Sequence, residues 1–232
     1  PSRRHVLGKS AAIVAASPYW RQVARADVSS GAPIAVLGAS GRTGSLCVNA
    51  CLQRGLAVRA LTRSGAPPSG VDANSPLLST MKCDVRDVSS LTAGVTGCSG
   101  VIYAASASKD GGNAEAIDNV GAVSAAEACI SAKVPRFALI SSTAVTRPAS
   151  LGYKFTNTFV PGYARGIMDQ KLLGEEGVRR IYEQDTSDCT YIIVRPGGLE
   201  ETSIVEGVAG LEVSQGDVLA GVISRPDLAD FM

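Results

Sequence analysis

The chain has 232 residues, 22 Lys+Arg against 21 Asp+Glu, 25 glycines and aromatics at only 5%. That length suits one domain with a full core, and the near-zero net charge excludes the basic footprint of a nucleic-acid binder. Its one histidine is His5, which excludes Ser-His-Asp and Cys-His catalysis and most zinc enzymes, since each needs a histidine in the folded site.

Residues 1–30 read as an N-terminal extension. Arg3-Arg4, a short apolar run over 11–16 and Ala24-Arg25-Ala26 follow the layout of a twin-arginine export signal. Pro18-Tyr19-Trp20-Arg21 interrupts that layout, so an ordinary extension stands beside it as the other reading. A retained signal of this kind implies peripheral membrane association through the tail. No apolar stretch is long enough for a transmembrane helix.

From residue 31 to 232 the pattern alternates. Strands are predicted over 33–38, 56–62, 79–84, 100–105, 136–142 and 190–195, and helices over 43–54, 88–96, 113–132 and 163–184. Such alternation means right-handed crossovers and an α/β, Rossmann-like doubly wound parallel sheet. Residues 67–70 and 147–161 read as loops. Of the six cysteines, none forms a Cys-x-x-Cys pair. Cys47 and Cys51 share one face of the first helix and read as small core residues.

The first strand and helix meet at Ile34-Ala-Val-Leu-Gly38-Ala-Ser-Gly41-Arg-Thr-Gly44. Three glycines between a strand and a helix are what a dinucleotide needs. Gly38 permits a tight turn, Gly41 lets the backbone approach the pyrophosphate, and Gly44 lets the helix pack closely. The helix N-terminus offers free N–H groups to the phosphates. Ser40, Arg42 and Thr43 stand in the same turn. An NAD site usually carries an acidic residue at the end of the second strand, for the ribose 2′-hydroxyl. No acidic residue occurs between Gly44 and Asp72, and the strand ends in Thr62-Arg63-Ser64, with Arg59 four residues before Arg63. A guanidinium suits a 2′-phosphate, so NADPH/NADP is expected over NAD.

The other strand ends hold Asp84-Val85, Ala104-Ala105, Ser141-Ser142 and Pro196-Gly197. Ligands of such sheets lie beyond these ends. Asp84 can accept from an adenine amino group or cap the next helix. Ala104 and Ala105 leave room for an adenosine. Asp118-Asn119 marks either a site segment or a solvated helix face. Glu175-Glu176 and Arg179-Arg180 read as surface pairs at i,i+4 spacing.

With these motifs, and with Val194-Arg-Pro-Gly-Gly-Leu199 and Arg225-Pro-Asp-Leu-Ala229, the chain resembles the atypical short-chain dehydrogenase/reductase superfamily, in its NmrA-like NAD(P)-binding branch. The resemblance covers about residues 32–232. It implies a Ser, a Tyr and a Lys at the reacting end, the Tyr four residues before the Lys. The tyrosine gives a proton to a carbonyl and the lysine holds the ribose. Lys171 matches the lysine and Ser141 or Ser142 the serine, but Ile167 stands where the tyrosine belongs. Tyr163 lies one turn further back. The candidate catalytic residues are Lys171, Ser142 and Tyr163. The candidate cofactor set is Gly38, Ser40, Gly41, Arg42, Thr43, Gly44, Arg63, Asp84, Val85, Ala104, Ala105, Ser141, Lys171, Pro196 and Gly197. Since NmrA-like relatives include sensors and plastid proteins attached to complexes, the resemblance implies a structural, assembly or redox-sensing subunit with protein partners. A plastid, thylakoid-associated location follows, in the lumen or the stroma, with the cytoplasm as the alternative. An active NADPH-dependent oxidoreductase is the competing expectation.

Overall fold

The computed structural model describes residues 11–16, 31–201 and 210–232. In chain order its elements are β1 (Ala11–Ala16), β2 (Ile34–Leu37), α1 (Arg42–Gln53), β3 (Val58–Thr62), β4 (Leu78–Lys82), α2 (Val88–Val95) and β5 (Gly100–Tyr103). A π-helical segment, Glu115–Gly121, then runs into α3 (Ala122–Ser131). After it come β6 (Arg136–Ile140), α4 (Leu151–Thr158), a 3-10 turn at Gly162–Ala164, α5 (Ile167–Gln184) and β7 (Thr190–Pro196). The chain closes with β8 (Gly198–Glu200), β9 (Glu212–Ser214), β10 (Val222–Ser224) and α6 (Arg225–Phe231).

The main sheet runs β4-β3-β2-β5-β6-β7-β1-β9. The six strands from β4 to β7 are parallel, as a βαβ-wound sheet requires. Strand order reverses between β2 and β5, which makes that crevice the ligand-binding switch point. Two strands extend the expected six. β1 pairs antiparallel with β7, and β9 pairs parallel with β1. The apolar run over 11–16 is thus a strand of the sheet. Arg3-Arg4 and Ala24-Arg25-Ala26 lie outside the described residues.

Alternating side chains feed two cores. In β2, Ala35 and Leu37 join Tyr103, Phe137 and Ile193 on one face, and Val36 joins Ile102, Val194 and Leu228 on the other. A strand buried on both faces reads as a continuous apolar run, which is why these strands stand out in the sequence. Cys47 and Cys51 belong to the second core. Burial pushes the Cys47 thiol up to about 12, so it is core filling without thiolate character.

Two expectations fail locally. The stretch 147–161 is not all loop, because α4 starts at Leu151, capped by Ser150, whose hydroxyl accepts from Tyr153 N at 3.2 Å. The helix expected over 163–184 begins only at Ile167. Gly166 adopts a left-handed φ of 73° immediately before it, and Tyr163 sits in the separate 3-10 turn. Tyr163 is therefore not one turn back on the helix that carries Lys171.

Candidate functional site

The glycine turn is fixed by close approaches. Gly38 has φ +75°, and a Cβ there would lie 2.7 Å from the Ala105 backbone. A Cβ on Gly44 would lie 2.2 Å from the Gly38 carbonyl oxygen. The first turn of α1 thus rests directly on the turn that precedes it. Gly41 is the N-cap, with no side chain capping the helix and no acidic residue in the first turn. The leading N–H groups of α1 are left for an anion. Gly44→Ala should push α1 off the turn and weaken dinucleotide binding by about 1–3 kcal/mol. Fluorescence titration with NADPH checks this; unchanged affinity would contradict it.

Beyond the turn opens a cleft of about 290 Å³. Gly38, Ser40, Gly41, Arg63, Asp84, Val85, Ala104 and Ala105 line it together. Arg63 donates to the Asp110 carbonyl in the loop after β5. The carboxylate of Asp84 is occupied: Arg86 donates to its two oxygens at 2.9 and 2.5 Å. That pairing holds the Asp84 carboxyl down at about 2. Asp84 is not the helix cap, since Asp87 caps α2 through Ser89 N and Ser90 N. Arg59 lies outside the cleft lining. It donates at 2.8 Å to the carbonyls of Gly94 and Thr96, closing the C-terminus of α2.

The deep end of the site is built on the π-helical segment. Tyr103 donates its hydroxyl to the Ile117 carbonyl at 2.6 Å. Asp118 then points inward, and its side chain is fully buried. It accepts from Ser106 Oγ at 2.7 Å and Ala107 N at 2.9 Å, and pairs with Lys171 Nζ at 2.7 Å. Gly174 makes the pairing possible, because a Cβ there would lie 2.3 Å from the Asp118 carbonyl oxygen. α5 can therefore press on the π-helical segment one turn after Lys171. Asp118 is thus no solvated residue, and only Asn119, bonded to Gln170 at 3.0 Å, stays toward the surface. Ser141 shares the Lys171–Asp118 recess. Its hydroxyl is buried and makes no hydrogen bond of good geometry, while Ser142 donates to the Thr143 carbonyl.

Ile167 opens α5, one turn before Lys171, and packs on Ala144, Val145, Tyr153 and Met168. Another tyrosine approaches α5: Tyr153 donates its hydroxyl to Asp169, a bond that pushes Tyr153 up to about 12. That hydroxyl is committed to a structural bond.

Several expected or overlooked residues serve the frame. Pro196 and Gly197 lie outside the cleft lining. Pro196 is sheet-paired with Ala12 and accepts from Thr143 N, and a Cβ on Gly197 would lie 2.3 Å from the Gly221 carbonyl. Arg42 reaches away to Glu201 at 2.7 Å. Thr43 accepts from Arg225, which also donates to Glu201, so this network ties the glycine turn to α6. Glu175 is no surface residue. It is fully buried and accepts from Arg195 at 3.0 and 2.5 Å and from Arg179 at 2.7 Å. Burial raises its carboxyl, but the guanidinium groups hold it below the usual value overall. Asp217, absent from the sequence reading, accepts from Ala144 N and Thr146 N. It thereby stabilises a turn in which Ala144 takes a left-handed φ of 67°.

A family model described as NAD(P)H-binding matches residues 38–232. An uncharacterised chloroplastic protein of Arabidopsis thaliana is 29% identical over 174 residues, 71% of this chain and 58% of that protein, so the match spans under two thirds of that relative. Among solved structures, the oxidoreductase ylbE of Lactococcus lactis superposes with a TM-score of 0.67 at 18% identity, covering 85% of this chain and 81% of its own. A Rossmann-fold NAD(P)-binding family protein of Shigella flexneri gives 0.62 at 15% identity, with coverage of 86% and 83%. A short-chain dehydrogenase/reductase superfamily protein of Agrobacterium tumefaciens with bound NAD gives 0.52 at 24% identity, with coverage of 72% and 49%.

Proposed function

This chain belongs to the NAD(P)H-binding family within the atypical short-chain dehydrogenase/reductase superfamily, and on that premise we propose that it holds NADPH without reducing simple carbonyls. The observation that carries this reading is Ile167. The residue one turn before Lys171 is an aliphatic group in an apolar cluster, and it cannot move a proton. The residues fit a dinucleotide, because the glycine turn packs so closely on the Ala104-Ala105 backbone and on α1 that no side chain stands between it and the cleft. The glycine turn and the N–H groups of α1 would hold the pyrophosphate, and Ala104 and Ala105 would flank the adenosine. Lys171 would hold a ribose hydroxyl. Bound NADPH would supply a hydride at the deep end.

Arg63 supports NADPH over NADH, as the one arginine among the described residues that line the cleft. Arg63→Ala should weaken NADPH by about 1–3 kcal/mol and leave NADH nearly unchanged. Parallel titrations of both cofactors test this, and equal affinities in the unmutated protein would refute it.

A binding protein of this kind fits a structural, assembly or redox-sensing subunit of a larger assembly. The chloroplastic relative supports a plastid location, with thylakoid association as the finer reading. The competing reading is an active NADPH-dependent oxidoreductase on a carbonyl, quinone or flavin. Lys171 and Ser141, gathered in one recess, favour it.

A further inference from the structure

The two faces of α4 differ. Its inner face is committed to α5, where Tyr153 and Asn157 both donate to the Asp169 carboxylate. Its outer face carries Leu151 and Phe155, and Phe159 follows at the C-cap; the three are exposed by 85%, 64% and 74%. The two phenyl rings lie 5.5 Å apart, so they form one apolar ridge. Single exposed apolar residues are ordinary, but a contiguous ridge of large ones marks an interaction surface.

The charges beside the ridge are cationic. Lys154 lies within the helix. Arg165 lies beside its end, where Gly166 N donates to the Asn157 carbonyl. Both are exposed, and neither enters an ion pair among the described residues. Asp169, the acid at this junction, lies on the inner side of α4, where Tyr153 and Asn157 donate to it. A second copy of the chain on this ridge would face Lys154 and Arg165 with cations of its own. An anionic surface would meet them with the opposite charge.

We propose that this ridge docks on a bilayer surface rich in anionic lipids, with α4 lying in the interface plane. Aromatic and aliphatic groups on one side and cations beside them are the pattern of an interfacial helix. No helix among the described residues is long and apolar enough to cross a membrane, so the contact is docking and not spanning.

The test is sedimentation of the full chain with vesicles of phosphatidylcholine plus phosphatidylglycerol, against vesicles of phosphatidylcholine alone. The chain should bind the anionic vesicles preferentially, and less as salt rises. Lys154→Gln with Arg165→Gln should weaken binding by about 25-fold, counting about fivefold for each cation. Phe155→Ser with Phe159→Ser should weaken it more than about tenfold. All four positions are exposed and outside the cofactor cleft, so NADPH titration of each variant reports an intact fold. Equal binding to both vesicles, no binding, or binding unchanged by the variants would overturn the proposal. So would a concentration-dependent dimer that Phe155→Ser with Phe159→Ser abolishes, since that would assign the ridge to a second copy.

Discussion

Replacing Glu175 with alanine should lower stability by about 3–5 kcal/mol, because it strands the buried Arg195 guanidinium without a counter-ion. Arg195 is 4% exposed and gives both of its hydrogen bonds on this carboxylate to atoms that the substitution deletes. Arg179 loses its partner as well. Urea unfolding followed by circular dichroism measures the loss, and a change under about 1 kcal/mol would show that water reaches Arg195. The carboxyl titrates below its ordinary 4.5 in the folded chain. Its contribution is therefore complete above that value and fades as pH falls through the lower folded value. Stability of the unmutated chain should accordingly drop more steeply with acid than that of Glu175→Ala.

The second large effect concerns turnover. A positioned acid or base contributes about 10²–10⁴-fold to such a reaction. The unmutated chain should therefore bind NADPH yet oxidise it with simple aldehydes and ketones more slowly by about that factor. Ile167→Tyr puts a hydroxyl one turn before Lys171, on the same face of α5. It should raise carbonyl-dependent NADPH oxidation measurably. Tyr163→Phe should change nothing, since the left-handed Gly166 separates Tyr163 from α5. Robust ketone reduction by the unmutated chain, lost in Tyr163→Phe, would transfer the proton-donor role to Tyr163 and end the non-catalytic reading.

What the sequence made legible was set by short-range necessity. Gly38, Gly41 and Gly44 are each required by atoms within a few residues of themselves, or by the strand end beside them. Lys171 was matched through the family resemblance, and Ile167 by its place four residues before it on one helix. The residues that stayed hidden answer to distant partners. Asp118 sits beside Ile117, whose carbonyl Tyr103 of β5 binds, and is covered by Gly174 of α5. Glu175 has Arg179 at i,i+4, which suggests a surface pair, while its deciding partner Arg195 is 20 residues on. Asp217 binds backbone groups 71 and 73 residues away, and backbone groups leave no mark in a sequence. α4 was masked by the loop-like stretch around it.

The π-helical segment Glu115–Gly121 carries a consequence of another kind. A widened turn holds an extra residue compared with an α-helical path between the same two ends. Deleting one residue there would let the helix close normally, and the side chains upstream would rotate by about 100° relative to those downstream. Asp118 would leave its bond to Lys171 although no residue type at either position had changed. At this point the length of the chain, counted in single residues, determines which side chain meets the lysine. Relatives that differ by one insertion or deletion between Asn113 and Ala122 should then differ in the partner of that lysine, however similar the flanking residues are.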